Sequence, residues 1–266
     1  MRPEPVQPRL NIWSKLYLFI AMFSLGAIVA ARVQGANELA GAPVAAGLML
    51  VFGCGAFASA TARRIGYQRA ILTCIAVASL GGLAFAVSLF FAFPFGDLRF
   101  LARWQPALDV GSRLFPLLHP LLWLLISGPS YLLAARRFSP TAAILAAGVI
   151  SAAIAWAMDP VATRVLGLWE WEASGPLYGA PIQNVLGWIL AGSLGAIFMR
   201  LAGFWEAAHA REALVLLGTF VLFVAGLAYL YGDWSPCWAN VAIFLLLVAL
   251  FPSRPGTTLA LVGPAD

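Results

Sequence analysis

Eight long apolar runs divide this sequence, and each is ended by charged residues, Gly or Pro. In a bilayer the backbone must satisfy its own hydrogen bonds, so an apolar run of about 20 residues crosses as an α-helix. We therefore predict an all-α fold, a polytopic integral membrane helical bundle with about eight transmembrane helices, seven being the alternative count. The predicted spans are 13–31, 39–60, 69–93, 114–135, 141–158, 180–200, 213–231 and 236–251.

The composition leaves no room for a separate soluble domain. Hydrophobic residues make up 62% of the chain and charged residues 10%, whereas soluble domains carry about 25% charged residues. We predict a disordered cytoplasmic N-terminus at 1–12, a single transmembrane helical bundle at 13–251 and a polar C-terminal tail at 252–266. The apolar stretch after Lys15 is interpreted as a retained helix and not as a signal peptide, because it is nearly a full span long.

The basic residues indicate how the bundle is oriented. Of the 16 Lys and Arg residues, eleven fall on one side of the predicted spans and five on the other. The positive-inside rule then places both termini in the cytoplasm, and we expect the bacterial inner (plasma) membrane as the location. The two longest loops, at 94–113 and 159–179, share the outer side, so they can converge over one mouth of the bundle.

Residue types and spacing argue against bound metals and cofactors. Cys54, Cys74 and Cys237 lie far apart, with no metal-ligand spacing. The two histidines, His119 and His209, fall on opposite sides of the membrane. No Gly-rich phosphate loop, dinucleotide fingerprint or nucleophile elbow stands in a supporting context. We expect no metal, no nucleotide, flavin or haem cofactor and no nucleic-acid partner, with the lipid bilayer as the surroundings.

The segment from Asp159 to Trp188 concentrates polar and aromatic residues between two apolar spans. Asp159-Pro160 favours a helix end, because proline lacks an N–H and restricts the residue before it. The sequence Trp-Glu-Trp-Glu follows at 169–172. If this stretch is extended, both indoles lie on one face and both glutamates on the other. The alternative interpretation is a set of anchors at the membrane interface.

This combination of residue types suits acid catalysis on a hydrocarbon. A carboxyl group held against apolar and aromatic side chains disfavours its ionised form, so it can keep a proton near neutral pH. Aromatic faces stabilise a nearby cation through the ring quadrupole. An acid beside aromatic walls can therefore protonate a double bond and stabilise the carbocation that results.

The other outer loop begins with the sequence Phe-Pro-Phe-Gly-Asp at 93–97. Its Pro and Gly indicate a helix end and a turn, so Asp97 is either a solvated residue of the headgroup region or a member of the site. His119 follows near the start of the next span. Its imidazole is able to carry a proton at physiological pH; the other interpretation is a hydrogen-bonded structural histidine.

Several of these motifs resemble the carotenoid biosynthesis membrane proteins of the bisanhydrobacterioruberin hydratase (CruF) type. The matching residues run from the third predicted span to the eighth. The chain departs from the family pattern in having no acid at 85–91 and in carrying Leu98 and Phe100 where members have tyrosines. The motifs are Met-Asp-Pro-Val-Ala at 158–162, Gly-Leu-Trp-Glu-Trp at 167–171, Tyr-Gly-Ala-Pro at 178–181, Asn184, Gly-Trp at 187–188 and, as support, 93–96 and 116–123.

The resemblance implies a lipophilic carotenoid substrate and a hydratase reaction without a cofactor. Water would add to the terminal C=C bond of an acyclic end group and give a tertiary alcohol. Other carotenoid biosynthesis enzymes are the protein partners that it implies. With the clustering described above, the candidate catalytic residues are Asp159, Glu170, Glu172 and Asp97. The candidate substrate-binding residues are Trp169, Trp171, Tyr178, Asn184, Trp188, Phe95 and Trp123.

Two other functions fit the sequence. A carotenoid or isoprenoid cyclase begins with the same protonation, but an internal double bond captures the cation in place of water. A non-catalytic carotenoid-binding or lipid-binding protein, or a transporter, needs no acid. Ion-coupled transport is disfavoured, because no charged residue lies near the centre of a predicted span. Water access and product mass separate hydration from cyclisation.

Overall fold

The computed structural model describes residues 11–36, 41–172, 174–207 and 210–250. The fold is the predicted all-α helical bundle, and each of the eight predicted spans overlaps one helix. The described helices are α1 (Ile12–Val33), α2 (Ala42–Ile65), α3 (Tyr67–Phe91), α4 (His119–Arg137), α5 (Pro140–Pro160), α6 (Ile182–Leu201), α7 (Ala210–Leu230) and α8 (Trp234–Leu250).

Six of these helices are long and apolar enough to cross a membrane: α1, α2, α3, α5, α6 and α7. α8 is a shorter apolar helix. The chain is therefore an integral membrane protein. The predictions made for residues 1–10, for His209 and for the tail at 252–266 lie outside the described residues.

α4 is the central helix of the bundle. Every side chain from Leu122 to Ala134 is buried, and α4 packs against α2, α3, α5, α6 and α7. A helix that is apolar around its whole circumference is buried on all sides. The outer helices instead expose apolar side chains, such as Leu145 of α5 and Leu186 of α6, on the surfaces available to lipid chains.

Glycines allow α6 to approach its neighbours closely. A Cβ at Gly148 of α5 would lie 2.5 Å from the Ile189 carbonyl oxygen, so the two helix backbones are in contact, as is common between membrane helices. A Cβ at Gly187 would lie 2.7 Å from the Pro94 carbonyl oxygen and 2.6 Å from Phe95 Cδ1. The second contact brings the turn after α3 against α6.

Short strands join the two long loops over one end of the bundle. β1 (Leu98–Phe100) pairs antiparallel with β4 (Trp169–Trp171), and β2 (Ala107–Val110) pairs with β3 (Arg113–Pro116) as a hairpin. The expectation that the two loops converge is confirmed by the first pairing. The Trp-Glu-Trp sequence is extended, which is the condition under which both indoles lie on one face.

The helical path does not end at Asp159-Pro160, which corrects the expectation drawn from the sequence. α5 includes both residues and continues into a π-helical turn at Val161–Val165. The wider turn is closed by the Leu166 N–H, which donates to the Val161 carbonyl oxygen at 2.8 Å. Proline at a helix end removes only one donor, and single π turns occur often at functional sites. Asp159 thus lies inside the end of the bundle and not in the loop.

Candidate functional site

Asp159 is buried at the end of α5, with 2% of its surface exposed. It is the only Asp, Glu, Lys or Arg that is buried in the described part of the chain. The Thr163 hydroxyl donates to the Asp159 carbonyl oxygen at 2.9 Å and so supports the helix end. Acids are rarely buried without a partner, and an acid inside a membrane bundle indicates a functional site.

Two indoles hold the Asp159 carboxyl group. Nε1 of Trp169 donates to Oδ1 at 3.0 Å, and Nε1 of Trp171 donates to Oδ2 at 2.9 Å. Side chains alternate along a strand, so β4 directs both indoles toward α5 and directs Glu170 to the opposite face. Each carboxyl oxygen therefore has one N–H donor, and the strand fixes the orientation of the acid.

A small cavity opens at the Asp159 carboxyl, and we call it the site cavity. Helices α3, α4, α5 and α6 and strands β1 and β4 contribute its walls. Asp159, His119 and Asn184 are its polar members. Aromatic and aliphatic side chains form most of the remaining lining, namely Phe85, Leu98, Met158, Trp169, Trp171 and Trp188.

His119 and Asn184 bring two unpartnered polar atoms to the site cavity. The buried His119 ring packs against Phe85, with ring centroids 3.9 Å apart, and against Trp104 at 5.3 Å. Neither Nδ1 of His119 nor Oδ1 of Asn184 has a hydrogen-bond partner among the residues that the structure describes. Buried polar atoms are normally hydrogen-bonded, so these two atoms are candidates for contact with a bound molecule.

The other three predicted acids lie outside the site cavity, in a surface ion-pair network. Arg99 forms an ion pair with Glu170, and this hydrogen-bonded neighbour raises the pKa of Arg99. Arg113 lies 3.4 Å from Glu172 and 3.7 Å from Asp97. The network spans β1, β3, β4 and the turn before β1. It groups these acids together but apart from the buried carboxyl.

Two of the predicted substrate-binding residues lie behind the cavity wall. The Phe95 ring stacks on Phe85 at 3.8 Å, and the Trp123 ring stacks on Trp188 at 4.4 Å. Phe85 and Trp188 line the site cavity, whereas Phe95 and Trp123 support them from the far side. Trp169, Trp171, Trp188 and Asn184, predicted on the same grounds, do line the cavity.

Tyr178 lies away from the site cavity. Its hydroxyl is 2.8 Å from the Ser235 hydroxyl, and its ring stacks on Trp156 at 5.6 Å. Arg164 lies over the same ring and also forms an ion pair with Asp233. These contacts join the loop before α6 to the turn between α7 and α8.

Sequence reasoning did not assign Phe85, Leu98, Ala155 or Met158 to the cavity and left His119 with two interpretations. These residues come from α3, β1, α5 and α4, so only tertiary packing brings them together. Apolar side chains carry no chemical signal in a single sequence. The one local signal is the position of Met158, which is adjacent to Asp159.

The fold and the site define a class of protein: an integral membrane helical bundle with one buried acid facing an aromatic cavity near one end. Among the described residues, no group of three or more His, Cys, Asp or Glu side chains is placed to hold a metal ion. The chain belongs to the carotenoid biosynthesis protein family, whose family model matches residues 45–248.

The family match runs from the first turn of α2 to the last turn of α8 and so includes every residue of the site cavity. It assigns the protein a role in carotenoid biosynthesis, with a lipophilic carotenoid as substrate. Comparison with curated proteins and with solved structures gave no match.

Proposed function

We propose that this protein adds water to the terminal C=C bond of an acyclic carotenoid end group and forms a tertiary alcohol. The observation that carries the proposal is the buried Asp159 carboxyl, held by two indole N–H groups in a largely apolar cavity. Family membership supports a carotenoid as the substrate. Hydration of such an end group needs an acid, a surface that stabilises a cation and a correctly placed water molecule.

Asp159 is the proton donor in this proposal. Because each of its oxygens accepts an indole N–H, a carboxyl proton has to occupy a lone pair that the indoles leave free. That proton is directed away from both rings, and the carboxyl itself lines the site cavity. It is transferred to the less substituted carbon of the double bond, and the positive charge develops on the tertiary carbon.

The aromatic lining stabilises the cation. Phe85, Trp169 and Trp188 line the cavity beside the carboxyl, and each aromatic ring near a desolvated cation contributes about 0.5–2 kcal/mol. Phe95 and Trp123 hold Phe85 and Trp188 in place through their stacking contacts. The rings are fixed before the reaction, so no reorganisation is needed when the charge forms.

Water then attacks the tertiary carbon, and His119 takes its proton. Nδ1 of His119 accepts that proton, while Oδ1 of Asn184 accepts the second hydrogen bond of the water and orients it. His119 returns the proton to the Asp159 carboxylate, so the acid is regenerated and the net reaction consumes one water. Both unpartnered polar atoms of the cavity thus have a role.

The surface ion-pair network has a positioning role in this scheme. Arg99 and Glu170 face each other across β1 and β4, and Arg113 connects Glu172 with Asp97. These pairs hold the strand that carries both indoles. The catalytic role predicted for the three acids stays a prediction, and their exposed placement favours positioning.

We infer the orientation from the distribution of basic residues. Both termini face the cytoplasm of a bacterial cell, and the layer of short strands faces the outer side of the inner membrane. The carotenoid reaches the site from the bilayer and not from water, because a long polyene partitions into lipid.

A carotenoid cyclase is the alternative, since it begins with the same protonation. The two unpartnered polar atoms, on His119 and Asn184, favour capture of the cation by water, because a buried water needs two to four polar partners. An internal double bond needs none. A protein that binds a carotenoid without converting it is the other alternative.

Expression in a host that accumulates lycopene tests the proposal. We expect wild-type protein to yield a product heavier by one water, and Asp159→Asn to lose at least about a hundredfold in conversion, as for removal of a general acid. The control Asp109→Asn changes an exposed carboxylate of β2 that lies outside the site cavity and the surface ion-pair network, and it should retain conversion within about twofold. Pigments are separated by chromatography and weighed by mass spectrometry.

Three results contradict the proposal, each in a different way. Unchanged hydration by Asp159→Asn removes that residue from the mechanism. A wild-type product of unchanged mass but altered spectrum indicates cyclisation. Unmodified lycopene that co-purifies with wild-type protein indicates binding without turnover.

A further inference from the structure

A second, larger cavity adjoins the site cavity, and we call it the apolar cavity. Met158 and Trp169 line both cavities. The walls of the apolar cavity come from α2, α4, α5, the π-helical turn and α7. The Trp169 ring therefore forms a wall of the apolar cavity while its N–H holds the acid of the site cavity.

The apolar cavity is lined by apolar side chains throughout. α2 contributes Ala46 and Leu50, the π-helical turn contributes Ala162, and α7 contributes Phe220 and Phe223. The site cavity, in contrast, contains a carboxyl, an imidazole and an amide. A ligand that occupies both cavities therefore has one end that reacts with polar groups and a long part that is only hydrocarbon.

We propose that the apolar cavity binds the isoprenoid stem of the carotenoid, next to the end group that reacts at Asp159. This inference rests on the proposed function. The stem passes Met158 and Trp169 to reach the site cavity. Met158 is unbranched and flexible, so it can adapt to the chain, while Trp169 is fixed by its hydrogen bond to the acid.

Shape and not hydrophobicity determines binding in this cavity. A polyene that moves from lipid tails into an apolar cavity gains no hydrophobic free energy, because the two surroundings are equally apolar. The gain comes from the close contact of many atoms. A side chain that fills the cavity therefore competes directly with the stem.

Ala46 and Ala45 provide a matched test. They are adjacent in α2 and both half-buried, but Ala46 lines the apolar cavity and Ala45 does not. Ala46→Phe and Ala45→Phe are each combined with Asp159→Asn, so that bound pigment is not converted. The proteins are purified from lycopene-accumulating cells, and the visible absorbance per protein measures retained lycopene.

We expect Ala46→Phe to lower retained lycopene about tenfold relative to Ala45→Phe, at equal thermal stability in detergent, because the added ring overpacks the cavity. Equal retention of lycopene by the two variants, whether high or low, overturns the inference. Retention does not depend on turnover, so this result is independent of the hydratase proposal.

Chain length gives a second readout in proteins that keep Asp159. A ten-carbon acyclic isoprenoid with the same end group lacks most of the stem that we assign to the apolar cavity. We expect Ala46→Phe to convert this short probe within about twofold of wild type while lycopene conversion falls about tenfold. An equal loss with both probes overturns the inference. Failure of wild type to hydrate either probe overturns the proposed function instead, and retention then decides the role of the cavity.

Discussion

The donors that hold Asp159 are indoles, whereas a buried acid is more often paired with Arg or Lys. An indole N–H orients the carboxyl group without placing a full positive charge beside it. A carbocation that forms nearby is therefore not repelled by such a charge. We expect Trp169→Phe and Trp171→Phe each to lower lycopene conversion by about tenfold to a hundredfold. A hydrogen bond to a carboxylate contributes about 1.5–3 kcal/mol, and phenylalanine keeps a ring in place while removing the donor.

Trp156→Phe is the control for these two variants. Its Nε1 is buried without a hydrogen-bond partner among the described residues, so the substitution removes an N–H group but breaks no hydrogen bond to them. Conversion by Trp156→Phe should stay within about twofold of wild type. If all three variants lose conversion equally, the indole N–H groups have no special role at Asp159.

His119 is the second residue whose substitution separates chemistry from packing. We expect His119→Gln to lower lycopene conversion by about a hundredfold or more, because the amide can hold a water but cannot take its proton. Retention of lycopene in the Asp159→Asn background should not change, since the neighbours Phe85 and Trp104 keep the pocket shape. Parallel loss of retention and conversion would instead indicate a structural histidine.

At the residue scale, the sequence predicted Asp159 as an acid of the site and, for an extended segment, both indoles on one face. Chemical type and alternation were enough for that. It did not predict that the indole N–H groups would hold the acid, nor that His119 from another helix would line the same cavity. Tyr178, expected at the site, instead lies outside the site cavity. Its hydroxyl is hydrogen-bonded to the hydroxyl of Ser235 in α8.

At the element scale, the eight helices were predictable because each is encoded by one continuous apolar run. The strands were not, because β1 and β4 have three residues each and depend on pairing between two distant loops. The π-helical turn after Pro160 was also missed. Residue preferences at a proline describe the local chain, while burial under the strand layer determines where the helix ends.

The contact of α6 with the turn after α3 is an element-scale feature that can be tested directly. Gly187→Ala would place a Cβ 2.7 Å from the Pro94 carbonyl oxygen and 2.6 Å from Phe95 Cδ1. We expect it to lower the thermal denaturation temperature in detergent, since overpacking costs about 1–3 kcal/mol. Gly26→Ala in α1 meets nothing within 4 Å and should not destabilise. Equal stability of both variants would mean that the turn moves away without cost.

At the scale of the whole molecule, the site lies at one end of the bundle, where the two long loops form a layer of strands. The number of helices followed from hydropathy, and the shared side of these loops followed from counting the predicted crossings between them. The two cavities did not, because their walls come from helices that are far apart in the sequence. Which membrane side the strand layer faces rests on the basic residues alone, and that assignment has a direct test.

Thiol labelling measures this orientation. Leu108, in β2, and Phe138, in the turn between α4 and α5, lie at opposite ends of the bundle and are 53% and 44% exposed. The native cysteines are buried, so they give little background. On intact cells, a membrane-impermeant maleimide should label Leu108→Cys and not Phe138→Cys, because the side with more Arg and Lys stays in the cytoplasm. After lysis both should be labelled, which shows that each thiol is reactive. Labelling of Phe138→Cys alone on intact cells would reverse the orientation and place the strand layer and the site cavity at the cytoplasmic surface.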